Sequence, residues 1–329
     1  MNLTSYPADY SSAFDKNNLY CFDCGDATAP TEITFYDGDG VVIGARRYAP
    51  SEKIAASPES FLRRLLNPHP HTNVPGCRIF HAPDREVAIA VGYNDNANRT
   101  PLVHYTASLA PLALHAVMGG DEQWRSIAAG EWDEVAFRVE NGEKMTAVCH
   151  FPDGIGDRTL VTNTAQASGL HILSVDADVA LVSKPTAESF DVVLSVGGVE
   201  IATLHYEVAA AAPKGVRIAW LNSEGYISYH TFRTVLAERL QAVRSEYETA
   251  SGTLTLAVES WREMTLRSDF LSSDKEEWLS ELAASPKVWR IDSRRAVPQS
   301  ITSHSVVFAG DGARSVELTL RPARKVSRF

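Results

Sequence analysis

Two cysteines separated by two residues can bind zinc or exchange thiols, and Cys21-Phe22-Asp23-Cys24 has this spacing. A zinc site also needs a second pair of ligands, but Cys77 and Cys149 each lack another cysteine two to four residues away. A redox pair normally begins a helix, whereas this segment lies between β-type runs. We therefore expect structural thiols at Cys21 and Cys24, with zinc binding as the alternative.

Two histidines stand two residues apart in Asn67-Pro68-His69-Pro70-His71, and His81 follows further along. In an extended segment, side chains at i and i+2 point to the same side, so His69 and His71 could share a metal ion. A proline-rich loop with exposed histidines is the commoner arrangement. We predict no bound metal at this position.

The acids of Asp37-Gly38-Asp39-Gly40 alternate as they do at the start of a calcium-binding loop. An EF-hand loop needs further carboxylates and a glutamate at its twelfth position, but Val41 and Ala45 cannot act as ligands. We predict a turn between two strands.

Acidic residues number 41, too many for their presence alone to indicate a catalytic pair. Trp132-Asp133-Glu134 could present an aromatic platform and an acid to a sugar. A glycosidase, however, needs two carboxyl groups at a set separation, which a sequence does not show. The chain has no Gly-x-Ser-x-Gly elbow, HExxH motif or phosphate-binding loop. We predict that the protein is not an enzyme and has no catalytic, metal-binding or cofactor-binding residues.

Four of the six tryptophans, Trp220, Trp261, Trp278 and Trp289, lie in the last third of the chain. Exposed tryptophans stack on sugars and anchor partner proteins. Tryptophans within strands or on the apolar face of a helix are mostly core residues, and we favour this interpretation. The alternative is a carbohydrate-binding module or adhesin that uses exposed tryptophans.

The charge balance, 31 basic against 41 acidic residues, gives a net charge of −10. A nucleic-acid-binding protein needs a basic surface, so we expect no nucleic-acid partner. The C-terminal basic residues, Arg321, Arg324, Lys325 and Arg328, are expected to form a solvated tail. No apolar run approaches the roughly 18 residues that span a bilayer, and the first residues do not have the pattern of a secretory signal. We expect production in a cytoplasm, without membrane insertion.

Period-two alternation and Gly or Asp turns predict a mainly β protein with two or more sandwich-like domains and a few short helices. The Gly197-Gly198 pair predicts a hairpin between residues 190–196 and 199–206. Further strands are predicted at 32–36, 41–48, 86–93, 135–139, 145–151, 177–183, 218–232 (with a turn), 253–260, 287–292, 305–308 and 315–320.

Three segments have helical patterns. Residues 57–66 begin with Ser57 and Pro58, a serine cap and a proline suited to the first turn. Residues 235–247 are rich in Ala, Glu, Leu and Arg, and residues 273–283 place Trp278 and Leu282 one turn apart.

The length of 329 residues predicts two or three domains. We place an N-terminal β-rich domain with the first helix at residues 1–152. A central region containing the Gly-Gly hairpin follows at 153–212. A C-terminal β domain with the other two helices, which give this third its α+β elements, occupies 213–329.

Several segments occur in an order known from one kind of protein. They are 13–18 leading into a strand, 42–48, 61–63, Trp220-Leu221-Asn222 followed by Gly225 and Phe232, 271–290, and the closing strand 316–320 with basic residues after it. In this order they resemble a family of tail or baseplate structural proteins from phages of the Bacteroidetes group. Residues 271–290 are the most specific match, and residues 103–176 lie outside the resemblance.

The resemblance implies a distal-tail-like subunit of a multi-copy ring or collar in a virion tail. Its partners would be other tail or baseplate proteins and copies of itself, with a host-surface glycan as a further candidate. The unmatched region, residues 103–176, would be an insertion specific to this lineage or a module that recognises the host.

Overall fold

The computed structural model describes residues 1–25, 28–72, 76–210, 214–250, 252–271, 273–292, 295–308, 314–323 and 326–328. Strands account for more than half of the chain, and the described residues contain three short α-helices, so the prediction of a mainly β fold is confirmed. The described strands form five sheets, numbered here in chain order.

Sheets 1 and 2 are built from the first hundred or so residues. Sheet 1 has the order β1-β3-β6, and sheet 2 has the order β2-β10-β8-β4-β5 with β9 paired to β8. Their strands, with the first helix, are β1 (Asn2–Ser5), β2 (Ser11–Ser12), β3 (Tyr20–Asp23), β4 (Thr31–Asp37), β5 (Val42–Tyr48), β6 (Lys53–Ala56), α1 (Glu59–Leu65), β8 (Glu86–Tyr93), β9 (Asn98–Arg99) and β10 (Val103–Thr106), and β7 (Arg78–His81) lies between α1 and β8.

The turn predicted at 37–40 joins β4 to β5. Asp37 Oδ1 accepts hydrogen bonds from the backbone N–H of Asp39 at 3.1 Å and of Val41 at 2.8 Å, so this carboxylate orders the turn. The helix predicted at 57–66 is α1, but it begins at Glu59. Ser57 Oγ accepts from the N–H of Glu59 at 3.3 Å, and Pro58 occupies the capping position.

Sheets 3 and 4 face each other across one apolar core. Sheet 3 has the order β11-β17-β16-β13-β14, and sheet 4 has the order β12-β15-β7. Their remaining elements are β11 (Glu122–Ala128), β12 (Trp132–Val139), β13 (Lys144–His150), β14 (Arg158–Thr164), β15 (Gly169–Asp176), α2 (Ala177–Ala180), β16 (Ser189–Val196) and β17 (Val199–Ala209). Gly197 and Gly198 have φ of +61° and +86°, which matches the hairpin turn predicted for this pair.

Sheet 5 contains the strands of the C-terminal third, in the order β19-β18-β22-β23-β24-β21-β20 with β25 paired to β21. Its elements are β18 (Val216–Leu221), β19 (Ile227–Phe232), β20 (Thr234–Thr249), β21 (Gly252–Arg267), α3 (Ser273–Ala284), β22 (Val288–Asp292), β23 (Arg295–Phe308), β24 (Arg314–Pro322) and β25 (Val326–Arg328).

Both faces of sheet 5 are covered near β18. Ile218 and Trp220 pack with Leu279 and Leu282 of α3, while Ala219 and its neighbours pack against the core of sheets 1 and 2. The run Ile218-Ala219-Trp220-Leu221 is therefore apolar at every position, as expected for a strand buried on two sides.

Two predicted elements are wrong. Residues 235–247, predicted as a helix, lie in β20 and pair with β21 along its length, because cross-strand bonds from β21 satisfy a backbone that local propensity alone would make helical. Residues 177–183, predicted as a strand, form α2 and a 3₁₀ turn. Asp176 caps α2, since its Oδ1 accepts from the N–H groups of Asp178 and Val179 at 3.0 and 3.3 Å.

The strand pairing does not follow the predicted division at residue 152. β13 precedes that position, but it pairs with β14 and β16, which follow it, and β7 pairs with β15. The division at residue 212 lies outside the described residues.

Candidate functional site: an arm, a polar junction and a cavity

The β20–β21 hairpin extends well beyond the sheet that carries it. It is paired from Thr234 with Arg267 to Thr249 with Gly252, whereas β24 contacts β21 only at residues 264–267. We call residues 238–250 and 252–263 the arm. β25 covers the outer edge of β21 at residues 258–260, and β20 has β21 as its one neighbour among the described strands. The outer edge of β20 thus leaves a row of backbone groups open to pairing.

Apolar side chains on the arm face solvent. Leu240 is 73% exposed and Leu256 is 69% exposed, and Val243, Tyr247 and Leu254 are also exposed. On β21, beyond the arm and within the sheet, Leu266 is fully buried. A two-stranded hairpin with no covering layer is only marginally stable in water, and clustered exposed apolar groups are typical of binding surfaces.

Polar contacts across the two strands fix the register of the arm. Gln241 of β20 donates to Glu263 of β21 at 3.2 Å, and the indole of Trp261, on the same strand as Glu263, holds that carboxylate in place by donating to it at 3.3 Å. On the opposite face, Arg262 lies 3.7 Å from Glu238. Opposite charges across strands stabilise the pairing and leave the leucines as the apolar part of the surface.

A buried carboxylate, Glu134 of β12, joins three separate parts of the chain. Its oxygens accept from Arg85 at 2.7 Å, from Tyr229 of β19 at 2.9 Å, and contact His71 Nδ1 at 2.9 Å. We call this group the polar junction. It connects the loop after α1 with sheets 4 and 5.

The charges of the junction are mutually stabilised. Burial alone would raise the pKa of Glu134, but Arg85 and His71 outweigh it and lower that pKa to about 2. Burial would lower the pKa of His71, but hydrogen bonds to Asp84 and Glu134 raise it to about 9. The junction is therefore ionised at neutral pH.

Two more ion pairs flank Glu134 on the same segment. Arg125 donates to Asp133 at 2.7 Å, and Arg217 donates to Glu131 at 2.5 Å and to the backbone oxygen of Trp132 at 2.7 Å. The sugar platform considered for Trp132-Asp133-Glu134 does not form, because both acids are buried in ion pairs and Trp132 is partly buried.

A cavity of about 240 Å³ opens between β11, the β18–β19 turn and α3. Arg125 and Asp133 lie at its buried side, and Tyr226 and Trp278 are part of its wall. Trp124, at its rim, is 78% exposed and stacks on His205 with ring centroids 4.4 Å apart. Sequence reasoning missed Trp124, although its place between Gln123 and Arg125 in a polar alternating run indicates an outward position.

The other tryptophans divide between core and surface. Trp220 is fully buried and Trp289 is 7% exposed, as the core interpretation predicts. Trp278 is partly buried and packs 5.0 Å from Trp220, while Trp261 lies on the arm.

All four cysteines are free thiols. Cys21 lies in β3 and Cys24 directly follows it, and both are partly buried. Within the described ranges, they belong to no group of three or more metal-ligating side chains. Cys77 Sγ contacts the backbone of Asp176, and Cys149 lies in the core of sheets 3 and 4.

The structure places a third potential metal ligand beside the paired histidines, which their spacing in the sequence does not predict. His69 and His71 converge with Asp84, from the 3₁₀ turn before β8, and His81 is not part of the group.

Of the C-terminal basic residues, Arg321 lies in β24, and Arg324, Lys325 and the side chain of Arg328 lie outside the described residues.

Two solved structures align with parts of the chain. A chain in the virion of a native gene transfer agent particle is 18% identical over 36% of this chain and 100% of its own length, with a TM-score of 0.25. A chain in the C6-symmetric tail of an empty gene transfer agent particle is 20% identical over 35% of this chain and 94% of its own, also with a TM-score of 0.25. This TM-score does not establish a common fold. No family model and no curated protein matches the chain.

No helix within the described ranges combines the length and the apolar character needed to cross a membrane.

Proposed function

We propose that this protein is a non-catalytic structural component of a phage or phage-like tail or baseplate. It assembles into a ring or collar with copies of itself and with other tail proteins. The observation that carries the proposal is the arm, which presents exposed leucines and an open strand edge. The family resemblance of segments 13–18, 42–48, 61–63, 220–232, 271–290 and 316–320 supports the same function.

Within one subunit, no described element covers the exposed leucines of the arm or pairs with the outer edge of β20. These apolar side chains cost free energy in water, and a neighbouring surface or added strand would cover them. A strand that pairs with the edge of β20 would satisfy its outer backbone groups. Repetition of this contact around an axis gives a closed assembly.

The test compares the association of the purified full-length chain with that of arm variants. Burial of one leucine contributes about 1.5–3 kcal/mol, so Leu240→Ser with Leu256→Ser should weaken association by more than about 100-fold. Analytical ultracentrifugation over a concentration series measures this change. Val199→Ser, at a residue 67% exposed on another hairpin, is the matched control and should associate like the wild type.

A wild-type chain that stays monomeric at all concentrations and is absent from particles by mass spectrometry would contradict the proposal. So would equal association of the arm variant and the wild type.

A second candidate function, glycan binding, is favoured by the cavity beside Trp124. An exposed indole gives a sugar ring a stacking surface, and the acids Glu122, Glu224 and Glu281 around the cavity can accept its hydroxyl hydrogen bonds. The test is a glycan array with wild type, Trp124→Ala and, as control, Trp261→Ala on the arm. Binding lost only in Trp124→Ala would support this function, and an array without bound glycans would rule against it.

A further inference from the structure

Three side chains outside the arm and the cavity form a compact group with the ligand types of a transition-metal site. His69 and His71 come from the loop after α1, and Asp84 comes from the 3₁₀ turn between β7 and β8. One ligand atom from each lies within 4.8 Å of the others. His71 Nε2 is 3.2 Å and His69 Nδ1 is 3.7 Å from Asp84 Oδ2.

The two distances to Asp84 Oδ2 are close to those of tetrahedral coordination. Bonds of about 2.0–2.1 Å from zinc to imidazole nitrogen and carboxylate oxygen place neighbouring ligand atoms about 3.3 Å apart. The distances from Asp84 Oδ2 to His71 Nε2, 3.2 Å, and to His69 Nδ1, 3.7 Å, lie on either side of this value. We propose that His69, His71 and Asp84 bind a divalent transition-metal ion, zinc in the first instance, with water in the fourth position.

The surroundings of His71 match those of a metal-ligating histidine. Its Nδ1 contacts Glu134 Oε2 at 2.9 Å, and Glu134 is itself held by Arg85 and Tyr229. Ligating histidines commonly donate their second ring N–H to a carboxylate, which fixes the tautomer and turns the other nitrogen toward the metal. The polar junction thus orients Nε2 of His71 toward Asp84.

The carboxylate of Asp84 supplies an independent indication. Its Oδ2 is buried, yet among the described residues it accepts no hydrogen bond and has only His69, His71 and Arg85 at ion-pair distance. A buried oxygen with unused lone pairs is costly unless a cation or donor contacts it. A metal ion between the three side chains would satisfy it.

A proton on His71, shared between Asp84 and Glu134, is the competing occupant, so the test must distinguish the two. The purified full-length chain is treated with a chelator, which is then removed, and it is titrated with Zn²⁺ at pH 8 by isothermal calorimetry. We expect one equivalent to bind at this site and the thermal midpoint to rise, because a ligand that binds only the folded state stabilises it.

His69→Ala is the decisive variant, since this side chain is 51% exposed and its removal spares the polar junction. It should weaken Zn²⁺ binding at least tenfold and abolish the tetrahedral visible absorption of the Co²⁺ form. His150→Ala is the matched control, because His150 pairs with a single carboxylate, Asp157, at 2.8 Å, and it should bind as the wild type does.

Three results would overturn the proposal. One is a wild-type chain that binds no Zn²⁺ at 100 times the concentration of protein. Another is equal affinity in the wild type and His69→Ala. The third is loss of binding in Cys21→Ser with Cys24→Ser, which would place the ion at the thiols instead. None of these results depends on whether the chain assembles into a tail.

Discussion

The hydroxyl of Tyr229 donates a 2.9 Å hydrogen bond to Oε1 of Glu134, a residue 95 positions earlier in the chain. The contact joins β19 of sheet 5 to β12 of sheet 4. Arg85 donates to the same oxygen from a third segment. A single buried carboxylate thus connects the N-terminal, central and C-terminal parts of the molecule, and its replacement should affect all three together.

Glu134→Gln should lower the free energy of unfolding by about 3–5 kcal/mol, because it leaves the buried guanidinium of Arg85 without its partner. Urea unfolding measures the change. The control is Glu207→Gln, which removes an exposed partner of Lys275 and should cost less than about 1 kcal/mol. Equal losses in the two variants would show that the junction does not stabilise the fold.

Gly225→Ala should be far more damaging than Gly142→Ala. Both glycines have positive φ, +87° and +86°, so each alanine incurs a similar backbone strain of about 1–2 kcal/mol. Only at Gly225 would the added Cβ meet another backbone, 1.9 Å from the carbonyl oxygen of Ala107.

We expect Gly225→Ala to lose at least about 3 kcal/mol in urea unfolding, because neither backbone can yield without displacing the β18–β19 turn. A difference between the two glycine variants of less than about 1 kcal/mol would contradict this contact.

Truncation of two leucines on β21 should change the stability of the monomer by very different amounts. Leu266→Ala removes a fully buried side chain and should cost about 2–5 kcal/mol. Leu256→Ala, on the arm, should change monomer stability by less than about 0.5 kcal/mol. The measurement is urea unfolding at a protein concentration low enough to exclude association. A large loss for Leu256→Ala would show that the arm packs against its own subunit.

His230 should make the protein sensitive to acid. Burial, reinforced by Arg217 and Arg233, lowers the pKa of His230 to about 3, from about 6.5 in the unfolded chain. The unfolded state therefore binds the proton first, and the stability due to neutral His230 is complete above pH 6.5 and falls as the pH drops toward 3.

Between pH 6.5 and 4.5, the wild type should lose up to about 1.4 kcal/mol per pH unit more than His230→Gln. Urea unfolding at each pH provides the comparison, and the carboxylates common to both chains cancel. Parallel pH profiles would mean that the pKa of His230 is the same in the folded and unfolded states.

The features predictable from sequence are those that neighbouring residues determine. Gly197-Gly198 defines the β16–β17 hairpin, and alternation predicts β8 with its observed limits. The segment 235–247 misleads because its composition favours a helix, whereas pairing with β21 decides its structure.

Contacts between distant residues account for what sequence reasoning missed at the site. Asp133 and Glu134 look like candidates for sugar chemistry until Arg125 and Arg85 are seen to neutralise them. The sequence shows that His69 and His71 are two residues apart, but Asp84, the third member of their group, comes near them only when the chain folds. The exposed leucines of the arm become notable only once their strand is known to project.

The parallel pairing of β11 with β17 determines when sheet 3 can finish folding. A parallel pair cannot be closed by a tight turn, and here residues 129–198, with five strands, intervene. On the ribosome, β11 emerges long before its neighbour, so its edge stays unpaired through the synthesis of β12 to β16. Residue 209 must leave the exit tunnel before sheet 3 can close. A messenger truncated upstream of that codon therefore yields a chain with an aggregation-prone edge in place of a smaller native domain.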